Sequence, residues 1–380
     1  MTRIGKDAGS LLSVFESQFS KWVGSRYALA TCNGTSAIHT ALFAAGVEAL
    51  DEVIVTPRSF IASVSTVVNA GAIPVFADVD NNTGNISAPT IALKITDKTK
   101  AIICVHLAGW PCDMDEIMAL AKQHNLWVIE DCAQAHGAKY KGKPVGSIGH
   151  IGAWSFCQDK IMTTGGEGGI VTTNDKALWQ KMWEYKDHGK NYDSIYHKQH
   201  PPGFRWLHDS FGTNWRMLEM QAVIGRIQLS RMKSWTEVRA RNAHAILNTC
   251  KKFPSFRVPA FKCGSCEGTC SNPGSSQGCI HANYKCYVYV RSENLNAGWS
   301  RDRIIAEVNA LGVPCYQGSC SEVYLEKAFD NTGWRPKERL PIAKELGETS
   351  IMFLVHTTLT YHEIQKTCEV IEQVMTRASS

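Results

Sequence analysis

The first half of the chain alternates short apolar runs with longer stretches in which apolar residues recur every three or four positions. The short runs predict buried strands, and the periodic stretches predict helices that pack by one face. The predicted strands are Tyr27–Thr31, Val53–Val55, Pro74–Phe76, Ala101–Val105, Trp127–Glu130, Ala153–Phe156 and Ile170–Thr173. The predicted helices are Leu11–Val23, Asn33–Ala45, Ala62–Ala70 and Met114–His124. This alternation predicts an α/β domain whose central sheet is mostly parallel and flanked by helices.

The pattern changes in the second half of the chain. Helical spacing predicts helices at Met217–Met232 and Trp235–Phe253, with a bend between Ser230 and Trp235. The elements predicted after Pro254 are a strand at Tyr284–Val290 and helices at Arg301–Leu311 and Ile364–Met375. We therefore predict a large domain over residues 1–240 and a smaller α+β domain over 241–380, with a Cys-, Gly- and Ser-rich insertion at about 261–282.

Composition limits the classes of protein that fit. The 380 residues are 44% hydrophobic and 20% charged, which is enough apolar material for a full core. The net charge of +5 comes without a dense block of Lys and Arg, so a nucleic-acid partner is not expected. No apolar run approaches the roughly 18 residues that span a bilayer, so no membrane segment is expected. The first six residues lack the apolar stretch of a signal peptide, and we predict a cytoplasmic protein.

The 14 cysteines are mostly single residues within apolar segments, which indicates reduced, buried thiols. One group is different: Cys263, Cys266 and Cys270 are followed by Cys279 and His281. This spacing is irregular, and it leaves open a zinc site, disulfides or a reduced insertion. We predict no metal at the catalytic site.

Two charged residues follow predicted strands. Asp131 ends the run Trp127–Glu130, and Lys160 lies between Ala153–Phe156 and the glycine-rich loop Gly165–Gly169. Ligands bind at the carboxyl ends of parallel strands, so both residues can face one site. Pyridoxal phosphate requires a lysine that bonds to its aldehyde and an acid that keeps its ring nitrogen protonated. From position alone, Asp131 could instead cap a helix or a turn, and Lys160 is one lysine among many.

A second feature suits the phosphate of this cofactor. The sequence Asn33-Gly34-Thr35-Ser36 follows a strand and opens a helix. Free backbone N–H groups and the two hydroxyls there predict an anion site, with a simple helix cap as the alternative. The loop Gly165–Gly169 does not match the pattern of a dinucleotide-binding turn, so we predict no such site.

Seven short motifs occur in one order between about residues 14 and 235. They are Asn33-Gly-Thr-Ser-Ala37, Phe76-Ala-Asp-Val-Asp80, Val105-His-Leu-Ala-Gly109, Glu130-Asp-Cys-Ala-Gln-Ala-His-Gly137, Ser155-Phe-x-x-x-Lys160, Gly166-Glu-Gly-Gly169 and Asn214-Trp-Arg-Met217. On these motifs the chain resembles the nucleotide-sugar aminotransferase family of the DegT/StrS type, within the aspartate-aminotransferase (fold type I) superfamily. The resemblance implies a large domain with a mostly parallel seven-stranded sheet, a smaller α+β C-terminal domain, and a homodimer with shared active sites.

The resemblance also implies roles in cofactor binding, position by position. Lys160 would hold pyridoxal phosphate covalently and Asp131 would pair with its ring nitrogen. The other contacts would be Gly34, Thr35, Ser36 and Ser155 at the phosphate, Phe60 on the ring face, Gln134 near the 3-hydroxyl, and Asn214 at the phosphate of the neighbouring subunit. Ordinary core packing of Phe60 and a turn cap by Gln134 are the alternatives.

Substrate contacts are expected from Glu167, His188 and Tyr316, and the stretch that holds Tyr316 could also bring Gln317 and Ser319 to the cleft. Arg58 could bind an anionic group of substrate or lie on the surface. The chain begins almost at its first predicted helix, where members of the family usually carry a further segment that borders the site. Contacts from that segment are expected to be missing or supplied otherwise.

The resemblance implies transfer of an amino group, from L-glutamate, to a keto-sugar attached to a nucleotide, in the biosynthesis of surface polysaccharide, lipopolysaccharide or deoxyaminosugars. Lys160 favours transamination over dehydration, because similar enzymes that dehydrate deoxysugars carry histidine at that position. Three alternatives remain open. They are an aminotransferase or dehydratase acting on a cyclic keto acid or cyclitol, similar to aminohydroxybenzoate synthases; a pyridoxal phosphate-binding regulator without turnover; and a metal-dependent binding module built on the cysteine group.

Overall fold

The computed structural model describes residues 10–260 and 278–379, which form a seven-stranded sheet, a four-stranded sheet and a two-stranded ribbon, with helices around them. The helices are α1 Leu11–Val23, α2 Gly34–Ala44, α3 Ala62–Asn69, α4 Ala88–Ala92, α5 Met114–His124, α6 Lys176–Lys186, α7 Tyr192–Tyr196, α8 Glu219–Cys250, α9 Arg301–Ala310, α10 Pro341–Thr349 and α11 Tyr361–Ala378. The strands are β1 Tyr27–Thr31, β2 Glu52–Val55, β3 Ile73–Phe76, β4 Thr99–Val105, β5 Trp127–Asp131, β6 Lys139–Tyr140, β7 Lys143–Pro144, β8 Ile151–Ser155, β9 Gly169–Thr173, β10 Phe256–Arg257, β11 Cys286–Val290, β12 Cys315–Tyr316 and β13 Ser350–Phe353.

The larger sheet has seven strands in the order β1-β9-β8-β5-β4-β2-β3. The five strands from β8 to β3 are parallel to one another, and only β9 pairs antiparallel, with β8 on one side and β1 on the other. Parallel strands bury both faces under helices, which explains why they are short, continuous apolar runs in the sequence. The predicted α/β fold with a mostly parallel seven-stranded sheet is confirmed.

Helix α1 shows how the apolar spacing becomes packing. The Ser10 hydroxyl accepts a hydrogen bond from the backbone N–H of Ser13 at 3.1 Å and so caps the start of the helix. Phe15, Phe19 and Val23 follow at intervals of four and are fully buried against the large sheet. The helix ends at Gly24, whose φ of 77° is a left-handed conformation that glycine adopts without strain.

The smaller sheet is antiparallel throughout, in the order β10-β11-β13-β12. Its apolar face packs against α9, α11 and the C-terminal half of α8. Residues near the start of α8, including Ala222 and Met232, belong instead to the core around α1. Because α8 passes through residue 240 and serves both cores, the predicted division into domains at that residue stays a prediction.

The predicted bend between Ser230 and Trp235 is wrong, since α8 runs without interruption for 32 residues. The helix contains no proline, and the two serines in this stretch remain compatible with helical geometry. The hydroxyls of Ser230 and Ser234 donate to the backbone carbonyls of Ile227 and Arg231, one turn earlier, at 2.7 and 2.9 Å. The polar residues of this stretch therefore do not interrupt the helix.

Across the described ranges, no helix combines the length and apolar character that crossing a membrane would need. Cys263, Cys266 and Cys270 lie outside the described residues, so the zinc, disulfide and reduced alternatives stay open. Cys279 is described and buried, and its sulfur accepts a hydrogen bond from the backbone N–H of Lys141 at 3.3 Å.

Candidate active site

A cavity of about 690 Å³ lies at the carboxyl ends of β4, β5 and β8, between the large sheet and the small one. This is the position at which open parallel sheets bind ligands. The predicted site residues that line it are Gly34, Thr35, Phe60, Asp131, Gln134, Ser155, Lys160 and Glu167. The remaining predicted residues, Ser36, His188, Asn214 and Tyr316, do not line the cavity within the described part of the chain.

Asp131 is the last residue of β5 and is 5% exposed. Its carboxylate accepts a hydrogen bond from the Ser63 hydroxyl at 2.7 Å and one from the backbone N–H of Ala133 at 3.1 Å. Burial raises the pKa of Asp131, and these hydrogen bonds, with the charges of Lys160 and His106, oppose that rise. A buried carboxylate of this kind is stabilised by any ligand that brings a positive charge or a proton to it.

Glu130, the neighbour of Asp131, faces the other side of the sheet and is fully buried. Its carboxylate accepts hydrogen bonds from the backbone N–H groups of Gly146, Ile148 and Gly149 at 2.6 to 2.9 Å. It also lies 3.0 Å from the Nε2 atom of His106. Glu130 therefore holds the loop before β8 and takes no part in the cavity.

Lys160 lies in the turn that follows β8, and its side chain is 16% exposed. The Nζ atom is 3.1 Å from Oδ1 of Asp159 and 5.4 Å from the centre of the Tyr284 ring. The Tyr284 hydroxyl donates to the same carboxylate, at Oδ2, over 2.6 Å. Burial alone would raise the pKa of Asp159, but the hydrogen bond from Tyr284 and the charge of Lys160 hold it below its ordinary value. The amine of Lys160 is thus partly desolvated and oriented by an ionised neighbour.

The start of α2 forms a cradle against the end of β8. Asn33 caps the helix through reciprocal hydrogen bonds with Ser36, at 2.8 and 3.2 Å. A Cβ atom on Gly34 would lie 2.5 Å from the Cβ of Ser155, so only glycine permits this approach. The first N–H groups of a helix have no partner within it, and those of Gly34 and Thr35 are available to an anion.

Ser36 takes part in the cap at the start of α2. Its hydroxyl donates to the backbone carbonyl of Asn33 at 2.8 Å, as part of the cap. The residue is 5% exposed and does not line the cavity within the described chain. The phosphate contact of Ser36 stays a prediction, and Gly34, Thr35 and Ser155 are the predicted phosphate residues that line the cavity.

Phe60 and Gln134 both line the cavity. Phe60 is 67% exposed, so the alternative of ordinary core packing is wrong. Gln134 follows β5, and its side-chain carbonyl accepts a hydrogen bond from the backbone N–H of Ala108 at 2.8 Å. That bond crosses to the turn after β4, where Ala108 has a φ of 56°. Gln134 is thereby fixed at the cavity wall.

The predicted substrate residues are distributed unevenly. Glu167 lines the cavity, and its carboxylate is 3.8 Å from the sulfur of Cys157. His188 and Asn214 lie together outside it, on two segments joined by a bridge between Asp187 and Asn214. Tyr316 lies on β12 and is 51% exposed. The predicted contacts of these residues with substrate stay predictions.

The wall formed by the small sheet holds residues that the sequence reasoning missed. Tyr284 and Lys285 precede β11, and Gly318 and Cys320 lie in the loop after β12. Ser319 lies between Gly318 and Cys320. The sequence indicates Tyr316, Gln317 and Ser319 as residues of the cleft, and of these three only Ser319 lines the cavity in the described structure. The sequence feature that could have indicated this wall is the pair Tyr284-Lys285, which directly precedes an apolar strand.

Arg58 is fully buried, so the surface alternative for it is wrong. Its Nη1 atom donates to the hydroxyl of Tyr289 at 2.9 Å, and the guanidinium lies over the rings of Tyr287 and Tyr289. The residue therefore lies behind the wall of the small sheet.

These residues fit pyridoxal phosphate. The cavity offers one partly desolvated amine at Lys160, one buried carboxylate at Asp131 and an anion cradle at Gly34, each on a different element. The exposed ring of Phe60 adds an apolar surface for an aromatic ligand. An amine, an acid and an anion site around one cavity are the donor set that this cofactor needs.

Comparisons with known proteins agree with this chemistry. A model of the DegT/DnrJ/EryC1/StrS aminotransferase family matches residues 4–372. The GDP-perosamine synthase of Escherichia coli O157:H7 is 43% identical over 251 residues, which are 64% of this chain and 66% of that protein. The GDP-perosamine synthase of Caulobacter vibrioides is 34% identical over 371 residues, or 97% of this chain and 91% of that protein. The X-ray structure of the aminotransferase from Psychrobacter cryohalolentis is 62% identical, with a TM-score of 0.91 over 97% of this chain and 92% of its own.

Proposed function

Because the chain belongs to the DegT/DnrJ/EryC1/StrS aminotransferase family, we propose that it moves an amino group from L-glutamate onto a keto-sugar attached to a nucleotide. Membership of this family confirms the predicted cofactor, pyridoxal phosphate. The observation that carries the proposal is the meeting of the Lys160 amine and the buried Asp131 carboxylate in one cavity. Relatives named for a product carried on GDP support a nucleotide-linked substrate.

When bound, pyridoxal phosphate supplies an electron sink that stabilises negative charge at the carbon that loses a proton. Lys160 would hold the cofactor covalently through Nζ, and Asp131 would keep a proton on its ring nitrogen. Gly34, Thr35 and Ser155 would bind its phosphate at the start of α2. Phe60 would pack on the ring, which fixes its orientation relative to Lys160.

The released amine of Lys160 would then move protons at the substrate carbon. It would take the α-proton from the amino donor and would later deliver a proton to the sugar carbon. Asp159 lies 3.1 Å from this amine and orients it, and Tyr284 holds Asp159 in place. These two residues are therefore assigned to positioning Lys160.

Replacing Lys160 with alanine tests this assignment. The purified wild-type protein is expected to show the visible absorbance of bound cofactor, which L-glutamate converts to a band at shorter wavelength, with release of 2-oxoglutarate. Lys160→Ala is expected to lose both the spectral change and turnover with a nucleotide-linked keto-sugar. Normal turnover in Lys160→Ala would refute the proposal. Wild-type protein that binds cofactor but does not respond to glutamate would instead favour a regulator.

We also propose that the active protein is a homodimer with shared active sites. Support comes from large apolar side chains that a single chain leaves exposed around the start of α8. Their exposed fractions are 81% for Phe204, 87% for Trp206, 99% for Phe211, 58% for Leu218 and 69% for Met220. A second copy would remove this surface from water. Asn214 lies within the same stretch, as expected of a residue that serves the neighbouring subunit.

The wider setting of the reaction follows from the proposed product. An amino sugar on a nucleotide is a precursor for surface polysaccharide, including lipopolysaccharide, and such precursors are assembled in the cytoplasm. Both assignments stay predictions, and product analysis with a panel of nucleotide-linked keto-sugars is the experiment that identifies the sugar.

A further inference from the structure

The cavity wall contributed by the small sheet is held in place by hydrogen bonding and close packing. Lys285 precedes β11, and Ser319 lies in the loop that follows β12. The backbone N–H of Ser319 donates to the hydroxyl of Tyr287 at 2.6 Å. A Cβ on Gly318 would lie 2.3 Å from the Tyr287 ring, so the loop packs directly on that side chain. Ser319 is therefore fixed relative to Lys285.

Lys285 faces the cavity without an anionic partner at contact distance in the described chain. Its Nζ atom donates to the Ser319 hydroxyl, a neutral group, at 3.2 Å. The nearest charges that act on it are mixed: Asp159 favours its ammonium form, whereas Lys160 and Arg58 oppose it. Burial, the largest effect, and the repulsion from Lys160 lower the pKa of Lys285. An ammonium in this position gains stability from an anion in the cavity.

A second cation lies behind the same wall. Arg58 is fully buried, and its Nε and Nη2 atoms have no hydrogen-bond partner among the described residues. The guanidinium carbon lies 5.1 Å from the centre of the Tyr287 ring, the ring on which the Ser319 loop packs. Lys285 and Arg58 thus place two cations at one wall, whereas the carboxylates of Asp131, Asp159, Glu167 and Glu326 also line the cavity. Because no carboxylate of the described chain contacts Lys285, its ammonium is open to an anionic ligand.

We propose that Lys285 and Ser319 form a binding subsite for an oxyanion of a substrate. The chemistry fits a carboxylate of the amino donor or a phosphate group of the nucleotide, since both accept hydrogen bonds from an ammonium and a hydroxyl. The cradle proposed for the cofactor phosphate is separate, at the start of α2 against the end of β8. This inference rests on the proposed function for the identity of the substrates.

The position of Lys285 relative to Lys160 supports this role. Each ammonium lies 5.4 Å from the centre of the Tyr284 ring, so at most twice that distance separates the two. A substrate with its reacting atom at Lys160 can therefore place a carboxylate or phosphate at Lys285. Such a contact binds substrate at a point away from the bond that changes, and so orients it.

The test compares Lys285→Met, which removes the charge, with Lys285→Arg, which keeps it. Lys98→Met is the matched control, because Lys98 is exposed and precedes β4 at the opposite end of the sheet. Binding of glutarate, UDP and GDP to the cofactor-loaded proteins would be measured by isothermal titration calorimetry. Glutarate reports on the donor carboxylates without reaction, and the nucleotides report on the acceptor phosphates.

We expect Lys285→Met to weaken one of these two classes about tenfold or more, Lys285→Arg to weaken it less, and Lys98→Met to leave it unchanged. The class that weakens identifies the oxyanion. Affinities within twofold of wild type for all three probes, or no binding to wild-type protein, would overturn the subsite. The melting temperature and cofactor absorbance of each variant check folding, and Ser319→Ala, expected to weaken the same class, replaces Lys285→Met if that variant does not fold.

The same proteins separate this inference from the proposed function. If wild-type protein aminates no nucleotide-linked keto-sugar but the difference in binding between wild type and Lys285→Met persists, the proposed function fails and the subsite stands. If wild-type protein aminates a nucleotide-linked keto-sugar normally but Lys285→Met binds all three probes as wild type does, the proposed function stands and the subsite fails.

Discussion

The variant Asp131→Asn separates the contribution of this carboxylate to function from its effect on the free energy of unfolding. The change keeps the shape of the side chain and removes its charge. An amide oxygen can still accept from the N–H of Ala133, and the new NH₂ group can donate to the Ser63 hydroxyl, which now lies 2.7 Å away. Because burial raises the pKa of Asp131, the ionised carboxylate destabilises the cofactor-free protein near neutral pH. We expect the cofactor-free variant to be as stable as wild type, or more stable by up to about 1 kcal/mol.

The sign of the pH dependence follows from the raised pKa. A carboxyl group whose pKa is higher in the folded protein contributes stability at low pH and loses it as the pH rises through the folded pKa. The advantage of Asp131→Asn should therefore be largest near neutral pH and shrink as the pH falls toward the ordinary range of carboxylic acids, about 4.

Whereas Asp131→Asn should leave the cofactor-free protein as stable as wild type or more stable, it should weaken cofactor binding and slow catalysis. Loss of a charged hydrogen bond to the ring nitrogen removes about 1.5–3 kcal/mol of binding free energy, or roughly a tenfold to hundredfold rise in the dissociation constant. Turnover should fall on the order of 100-fold or more, because Asp131 would no longer keep the ring nitrogen protonated, and the protonated ring is what stabilises the negative charge that develops in the reaction. The assays are absorbance titration of cofactor-free protein, differential scanning calorimetry without cofactor, and 2-oxoglutarate release.

Glu130→Gln is the matched control for this experiment. It makes the same chemical change one residue earlier, where the carboxylate accepts three backbone N–H groups and contacts His106. An amide cannot accept all of these, so the variant should lose about 1–3 kcal/mol of stability. The reasoning is refuted if Asp131→Asn keeps cofactor affinity and turnover within threefold of wild type, or if it destabilises the cofactor-free protein as Glu130→Gln does.

Three further outcomes are expected. Gly34→Ala brings a Cβ to 2.5 Å from that of Ser155, and this overpacking of the cradle costs about 1–3 kcal/mol. Absorbance titration should therefore show cofactor affinity at least about tenfold weaker, and unchanged affinity would place the phosphate elsewhere. Tyr284→Phe removes a hydrogen bond that lowers the pKa of Asp159, so the acidic limb of the pH–rate profile should move to higher pH, and an unmoved limb would argue against this pair as an influence on Lys160. Met220→Glu places a charge on the exposed apolar surface, and light scattering should show monomers where wild type forms dimers; an intact dimer would place the interface on another face.

Much of the large sheet and the centre of the site could be predicted from the sequence. The apolar runs mark the parallel strands because both faces of such strands are buried, and the polar residues at the end of β5 and in the turn after β8 mark the edge where ligands bind. Lys160 and Asp131 could be named because each stands next to the strand that positions it. Their roles at the cofactor stay proposals.

The tertiary structure decided what depends on contacts between distant parts of the chain. Tyr284 and Lys285 are more than a hundred residues from Lys160 in the sequence, and only the packing of the small sheet brings them to the same cavity. The hydroxyl of Ser36 could have served a phosphate or a cap, and the local fold assigns it to the cap. The sequence leaves Arg58 either at an anionic group of substrate or on the surface, whereas in the fold it is fully buried beside two tyrosines of β11. Periodicity records which face of one element is buried, whereas the side chains that meet across a cleft are set by how separate elements pack.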